Sequence, residues 1–195
     1  MIKGGTVRAP DYPVDAIFVD RWSPRAMSGE EINEEELMTL FEAARWAPSA
    51  YNNQPWRILC ARRNSEHWPL FFNLLVEANK AWAQNAAALL VLISKTTFDH
   101  NGKPSLTHSF DTGAAWQNLA LQGFSKGYVV HGMQGFSYEL AREVLQIPAE
   151  YRVEAMAAIG RPGKKEDLHA ELQQREAPNN RRELEKTVCN GPFRF

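Results

Sequence analysis

The sequence predicts an α+β layer fold, and three observations carry that prediction. Four apolar runs have the length and composition of strands: Trp56–Ala61, Ala86–Ser94, Tyr128–Met133 and Val153–Ile159. About six stretches around and between them carry apolar residues at helical spacing, and they differ in length. No G-x-G-x-x-G follows any strand and no G-x-x-x-x-G-K-[ST] occurs, so the chain shows neither a dinucleotide fingerprint of its own nor a P-loop.

Composition narrows the field. The chain of 195 residues suits one domain (1–195) with a substantial core, an N-terminal extension at 1–13 and a C-terminal arm at 177–195. Apolar residues make up 44% and charged residues 23%, the balance of a soluble globular protein. A net charge of −1 gives no global attraction to nucleic acid or to an anionic membrane. Cys60 and Cys189 fit no CxxC pattern, so a reduced cytoplasmic protein is expected. Met1–Pro13 lacks a basic start followed by an apolar core. The longest apolar run, Ala86–Ile93, is far shorter than the roughly 20 residues of a membrane span. The five histidines have no metal-ligand spacing and no carboxylate cluster beside them, so no metal site is expected.

In chain order, Val14, Ile17 and Phe18 mark a short helix over Val14–Arg21 that would bury one side. Pro24 disfavours a helical Ser23, so this helix ends before Arg21-Trp22-Ser23-Pro24-Arg25. Two guanidinium groups four residues apart with a hydroxyl between them suit phosphate oxygens, although two solvated surface arginines would give the same pattern. Asn33 reads as an N-cap, with Glu34, Glu35 and Glu36 complementing the helix dipole. Leu37, Leu40, Phe41 and Ala44 form the buried stripe of that helix.

His67–Trp82 has helical spacing, with Trp68, Phe71, Phe72, Leu75 and Val76 on its apolar side. Ala86–Ser94 is an uninterrupted apolar strand, as expected when both faces are covered. Thr96–Leu106 is a loop, and the longest helix runs from about Leu106 or Ser109 to Lys126 with Gly127 as its terminator. Gly113 and Gly123 inside it each cost roughly 1 kcal/mol, which calls for a packing reason such as a close helix pair across a subunit interface. A helix at Tyr138–Leu145, a charged helix or frayed segment at Glu166–Glu176, and a polar tail with an apolar tip complete the chain.

The stretch Ala43–Ile58 joins a helix to a strand through Pro48, Ser49, Ala50, Tyr51, Asn52, Asn53 and Gln54. A loop so rich in hydrogen-bonding groups suits a polar ligand, and the plain alternative is an ordinary connection.

Three elements together resemble the flavin-dependent nitroreductase family. Arg21-Trp22-Ser23-Pro24-Arg25 is close to that family's R-x-S-x-R opening, and Ala47–Trp56 is similar to its APS-x-x-N-x-QPW stretch. Asp111–Leu119, a Gly/Ala helix leading to a strand and a glycine turn, is the third. The resemblance covers roughly Val14–Pro162 in matching order. It implies a central, mainly antiparallel sheet of about four strands flanked by helices, with a C-terminal arm available to add to a partner subunit. It also implies an FMN-binding homodimer with sites at the subunit interface.

On that basis Arg21, Trp22, Ser23 and Arg25 are carried over as FMN contacts of one subunit. Pro48, Ser49, Ala50, Asn52 and Gln54 would come from the other. The turn His131-Gly132-Met133 would lie near the isoalloxazine, and Gly160 and Arg161 match the family's IG-x-P region, where a basic residue can reach the phosphate. Tyr51, Trp68, Phe71 and Phe110 are candidates for the acceptor pocket. Tyr51 stands where glycine is common in the family, and the tail has no clear match to the basic phosphate-binding ends of some members, leaving Arg181, Arg182 and Arg194 without an assigned role.

A flavin would carry the redox chemistry, so no side-chain nucleophile is expected. The activity implied is ping-pong electron transfer from NADH or NADPH to a nitroaromatic, quinone or similar small acceptor. Two alternatives stay open: an FMN-holding store or sensor without turnover, and other flavin redox chemistry on the same fold.

Overall fold

A four-stranded antiparallel sheet lies at the centre of the structure, a computed structural model that describes residues 3–194. Its strands are β1 (Trp56–Arg62), β2 (Ala88–Lys95), β3 (Val129–Met133) and β4 (Tyr151–Gly160), in the order β1-β2-β4-β3. All three pairings are antiparallel, with Trp56 opposite Ser94, Ala88 opposite Ile159 and Val129 opposite Gly160. Since β2 is central, its alternating side chains serve two cores. Leu89, Val91 and Ile93 join one, and Ala88, Leu90 and Leu92 the other. That two-sided burial is why the sequence of β2 is apolar without interruption.

The helices divide between the two faces. α2 (Glu34–Arg45) and α5 (His108–Ser125) cover one through Leu37, Leu40, Ala44, Ala115 and Leu119. α3 (Trp68–Phe72), α4 (Glu77–Ala83) and α6 (Tyr138–Val144) cover the other through Phe71, Trp82, Ala83 and Ala141. α1 (Ala16–Asp20) contributes to neither core, and α7 (Ala170–Arg175) rests on the second face through the half-buried Leu172.

Local signals account for several boundaries. Asn33 caps α2 by accepting the Glu36 N–H at 2.8 Å and donating to the Glu36 carboxylate at 2.8 Å, an arrangement worth about 1 kcal/mol. Gly127, at φ 76°, ends α5 in the left-handed region that a side chain disfavours. Within α5, a side chain at Gly123 would place its Cβ 2.5 Å from Val130, so β3 supplies the packing reason there. Gly113 faces open space instead.

Two expectations need correction. The helix expected over Val14–Arg21 is only the five residues of α1, and none of them is buried; Val14 and Phe18 remain exposed. The helical pattern of His67–Trp82 is two helices, not one. Between them Leu75 bridges to Phe136, Val76 N–H donates to Gly135 O, and Ser137 N–H donates to Leu74 O. These tertiary bonds take the backbone groups that a continuous helix would need, and a periodicity in sequence cannot reveal them.

Candidate functional site

Residues 21–27 run as an extended segment, and the alternation of their side chains explains the R-x-S-x-R spacing. Trp22, Pro24 and Ala26 turn inward, while Arg21, Ser23 and Arg25 share the half-buried side. The segment is fastened on three sides. Met27 bridges to Pro162, and Gly163 N–H donates to Ala26 O at 2.9 Å. This approach is so close that a Cβ on Gly163 would stand 2.6 Å from the Met27 carbonyl carbon. The Glu176 carboxylate accepts from Arg25 N–H and Ala26 N–H. His131 on β3 contacts Pro24 O through Nδ1 at 2.8 Å.

Arg21 does not stand alone. Its NH1 lies 3.3 Å from Ser23 Oγ. Arg8 donates from NH1 to both Val19 O and Arg21 O at 2.8 Å, and from Nε to Asn179 O at 2.8 Å. Arg181 reaches the Asn179 side chain at 3.1 Å. None of these three guanidinium groups forms an ion pair with a described carboxylate. Burial first, and then the charges of Arg8 and Arg181, lower the pKa of Arg21. Arg8, Arg181 and Arg182 line a cavity of about 400 Å³ together with Asp11 and Glu183, with Tyr12, Phe18 and Leu184 on its apolar side. An anion beside Arg21, Arg8 and Arg181 would relieve the mutual repulsion of their charges.

The loop after α2 carries backbone strain. Tyr51, Asn52 and Gln54 have φ of 52°, 53° and 47°, three of the four described non-glycine residues in the left-handed region. Hydrogen bonds hold them there. Ala50 N–H donates to Asp111 Oδ2 at 3.1 Å, and Gln54 N–H donates to Ser49 Oγ at 3.0 Å. Asn53 clamps the neighbouring loop, donating to Thr97 O at 3.3 Å and accepting from Asp99 N–H at 2.9 Å. Tyr51 projects outward, 84% exposed, with its ring edge against Phe98 at 5.5 Å. Pro48, Asn52 and Gln54 are also exposed, and Ser49 and Ala50 are half-buried.

These two groups lie at opposite ends of the sheet. Trp56, which follows the loop, pairs with Ser94 on β2; His131, bound to Pro24, pairs with Ala158, which pairs with Leu89. Leu89 and Ser94 are about 17 Å apart along the strand. One chain therefore does not bring the two groups together.

The remaining predicted residues have varied surroundings. Gly132 is exposed on β3 and lies under Trp116, whose ring would stand 3.0 Å from an added Cβ. The Met133 side chain is in the core. Gly160 gives way to Met27, whose sulfur would be 2.9 Å from a Cβ. Arg161 is turned from Arg21–Arg25: it donates to Glu36 at 2.8 Å and Lys126 O at 2.9 Å, with its guanidinium 3.9 Å from the Tyr128 ring centre. Trp68 stacks on Phe72, and Phe71 is buried in the core beside α6, on the face away from α5. Phe110 is 80% exposed on α5, so these aromatic residues do not form one pocket with Tyr51 in a single chain.

Comparison with known proteins decides the relationship. The Nitroreductase family model matches residues 19–75, which include both the Arg21–Arg25 segment and the Ala47–Trp56 loop. A crystal structure described as that of an oxidoreductase containing FMN is 48% identical, with 96% of each chain covered and a TM-score of 0.92. The chain belongs to the nitroreductase family. Protein DrgA of Synechocystis sp. is 28% identical over 77% of this chain and 87% of its own length. A provisionally named nitroreductase from Desulfovibrio desulfuricans, solved in complex with FMN, is 22% identical with a TM-score of 0.73 over 95% of this chain and 100% of its own, a likeness of fold alone.

The structure places four residues beside the two motifs to which the sequence had assigned no part there: Arg8, Asp111, Glu176 and Arg181. Each acts over a long sequence separation, as with the 171 residues between Arg8 and Asn179 or the 151 between Arg25 and Glu176. Only the pair Arg181-Arg182 carried a local signal, a basic step in a polar tail.

Proposed function

We propose that this protein is an FMN-dependent oxidoreductase that passes electrons, by a ping-pong mechanism, from NADH or NADPH to a nitroaromatic, quinone or similar small acceptor. The observation that carries the reading is the group of guanidiniums around Arg21, none of which forms an ion pair with a described carboxylate. A phosphate monoester fits that charge, and the segment beyond Arg21 has the length and polarity to follow a ribityl chain.

When bound, FMN supplies the redox chemistry. The chain's part is to hold and orient. Arg21 and Ser23, with Arg8 and Arg181 behind them, would hold the phosphate. Arg25 would offer positive charge to the pyrimidine edge of the ring, where charge develops on reduction. Trp22, buried behind the segment, fixes its course. His131-Gly132-Met133, expected as a glycine turn, lies inside edge strand β3 and pairs with β4, so the other side of its backbone is unpaired within the sheet and would be available to a ligand. Gly160 serves by admitting Met27. Arg161, committed to Glu36 and Tyr128, is not assigned to the phosphate.

The same reading makes the protein a homodimer. The partner's copy of the loop carrying Pro48, Ser49, Ala50, Asn52 and Gln54 would complete each site, because one chain keeps its loop and its Arg21–Arg25 segment apart. Leu106, Phe110, Tyr51 and Trp46 are exposed apolar residues that a partner would cover. Residues 1–195 form one FMN-binding domain in this reading, with 177–195 as an arm. A cytoplasmic location accompanies it; no helix among the described residues is long and apolar enough to cross a membrane.

The test is an absorbance spectrum of purified protein after incubation with FMN and gel filtration. Flavin bands at one FMN per chain are expected, and a protein that stays colourless overturns the proposal. Anaerobic NADH or NADPH should bleach those bands within seconds; a persistently yellow protein would instead be a store or sensor. Parallel double-reciprocal lines for donor and acceptor are expected, and intersecting lines exclude ping-pong order.

A further inference from the structure

We propose that Glu176 is a positioning residue that sets the redox balance of the bound flavin by acting through Arg25. The inference rests on Arg25 being an FMN contact, as proposed above.

Glu176 directly follows α7, in a stretch whose other charged side chains are exposed, yet it is only 4% exposed itself. A buried carboxylate costs several kcal/mol unless its oxygens are satisfied. Oε1 is satisfied by two consecutive backbone donors, Arg25 N–H at 2.7 Å and Ala26 N–H at 2.8 Å. Oε2 has no hydrogen bond, and Arg25 NH1 is 3.8 Å away from it. The carboxylate therefore grips the backbone of Arg25 with one oxygen and faces its guanidinium with the other. Beside it is a cavity of about 170 Å³ lined by Trp22, Pro24, Pro162 and Lys165 among others.

A neutral glutamine would satisfy both backbone donors without burying a charge, so holding the segment does not by itself require glutamate. What the charge adds is electrostatic. A cation beside a flavin favours the reduced form, which carries more negative charge than the oxidised one. A carboxylate against that cation offsets part of its field. Glu176 thus tempers Arg25 and keeps the flavin able to give up its electrons.

The experiment measures the midpoint potential of the FMN-loaded protein, by dye-coupled reductive titration, and the thermal stability of the apoprotein. Glu176→Gln should favour reduced over oxidised FMN by about tenfold, a rise of about 30 mV for a two-electron couple. Glu176→Asp, which keeps the charge but withdraws it from the guanidinium, should shift the potential in the same direction by less. A wild-type potential in whichever variant folds overturns the inference, even if its stability has fallen, because that is what a merely structural role would give. In an Arg25→Gln background, Glu176→Gln should produce no further shift; an undiminished shift there also overturns it. If wild-type protein binds no FMN, it is the proposed function that fails; if it binds FMN and the variants leave the potential unmoved, only this inference does.

Discussion

His131 donates its Nδ1 hydrogen to the carbonyl oxygen of Pro24 across 2.8 Å, fastening the edge strand β3 to the segment that carries Arg21, Ser23 and Arg25. A carbonyl can only accept, so the neutral ring carries its proton on Nδ1. Burial pushes the pKa of His131 down to about 4; Arg25 and Arg21 add to that, and the Pro24 contact opposes it. Its ring also lies against Trp82, 4.6 Å between centres.

That depressed pKa has a definite sign in stability. As pH falls below about 6.5, the unfolded chain takes up a proton that the folded chain refuses until about pH 4. Stability is therefore lost through that window, by about 2 kcal/mol at pH 5 from this residue. His131→Asn keeps a donor near Nδ1 but cannot titrate. Urea unfolding at pH 7.5 and pH 5 should show a smaller loss in the variant than in the wild type; equal losses would refute the assignment.

The guanidinium group around Arg21 makes a prediction that separates phosphate from ring. Arg181 bonds only to its neighbours Asn179 and Asn180, so Arg181→Gln should leave the fold intact. A hydrogen bond to a charged group is worth about 1.5–3 kcal/mol, so FMN affinity should fall at least about tenfold. Riboflavin, which lacks the phosphate, should bind the variant as it binds the wild type. Fluorescence titration with both ligands is the check. Arg8→Gln should also lower thermal stability, because Arg8 ties together Val19, Arg21 and Asn179.

Tyr51 is strained and exposed, a combination that points to use rather than stability. Tyr51→Gly relieves a left-handed conformation worth about 1 kcal/mol and gives up an edge contact with Phe98. Chemical denaturation should find stability unchanged or raised by about that amount. The kcat/KM for bulky acceptors should rise relative to small ones if the phenol narrows the mouth of the site, and an unchanged ranking would remove Tyr51 from the acceptor pocket.

The proposed dimer can be broken from its exposed face. Leu106 is 94% exposed and Phe110 80% exposed, and Gly113, one turn beyond Phe110, faces open space. Phe110→Lys should give a folded monomer by sedimentation and circular dichroism. That monomer should release FMN although every residue of both motifs is intact. A monomer that keeps its FMN would show that one chain suffices.

Much of the fold was legible because its causes are local. The two-sided burial of β2 appears as an uninterrupted apolar run, the Asn33 cap as a single polar residue before three glutamates, and the end of α5 as Gly127. The break between α3 and α4 was not legible, because bonds from Gly135 and Ser137, far along the chain, make it. The spacing of Arg21, Ser23 and Arg25 was legible as two guanidiniums with a hydroxyl between them, but that they share one side of an extended segment came from the structure.

What the sequence determined by itself is thus the four strands, most of the helices and the presence of the three motifs. Which charges answer one another was decided only by the tertiary structure. Arg161 finds Glu36, Arg25 finds Glu176, and Arg21 is left beside Arg8 and Arg181 with no ion pair to a described carboxylate. The physical reason is one of distance. Periodicity and capping depend on residues within a few positions of each other, while charge interactions depend on separation through space and fade within about 10 Å in salt. Only folding brings Arg8 and Arg181 to Arg21, and Glu176 to Arg25, within that range.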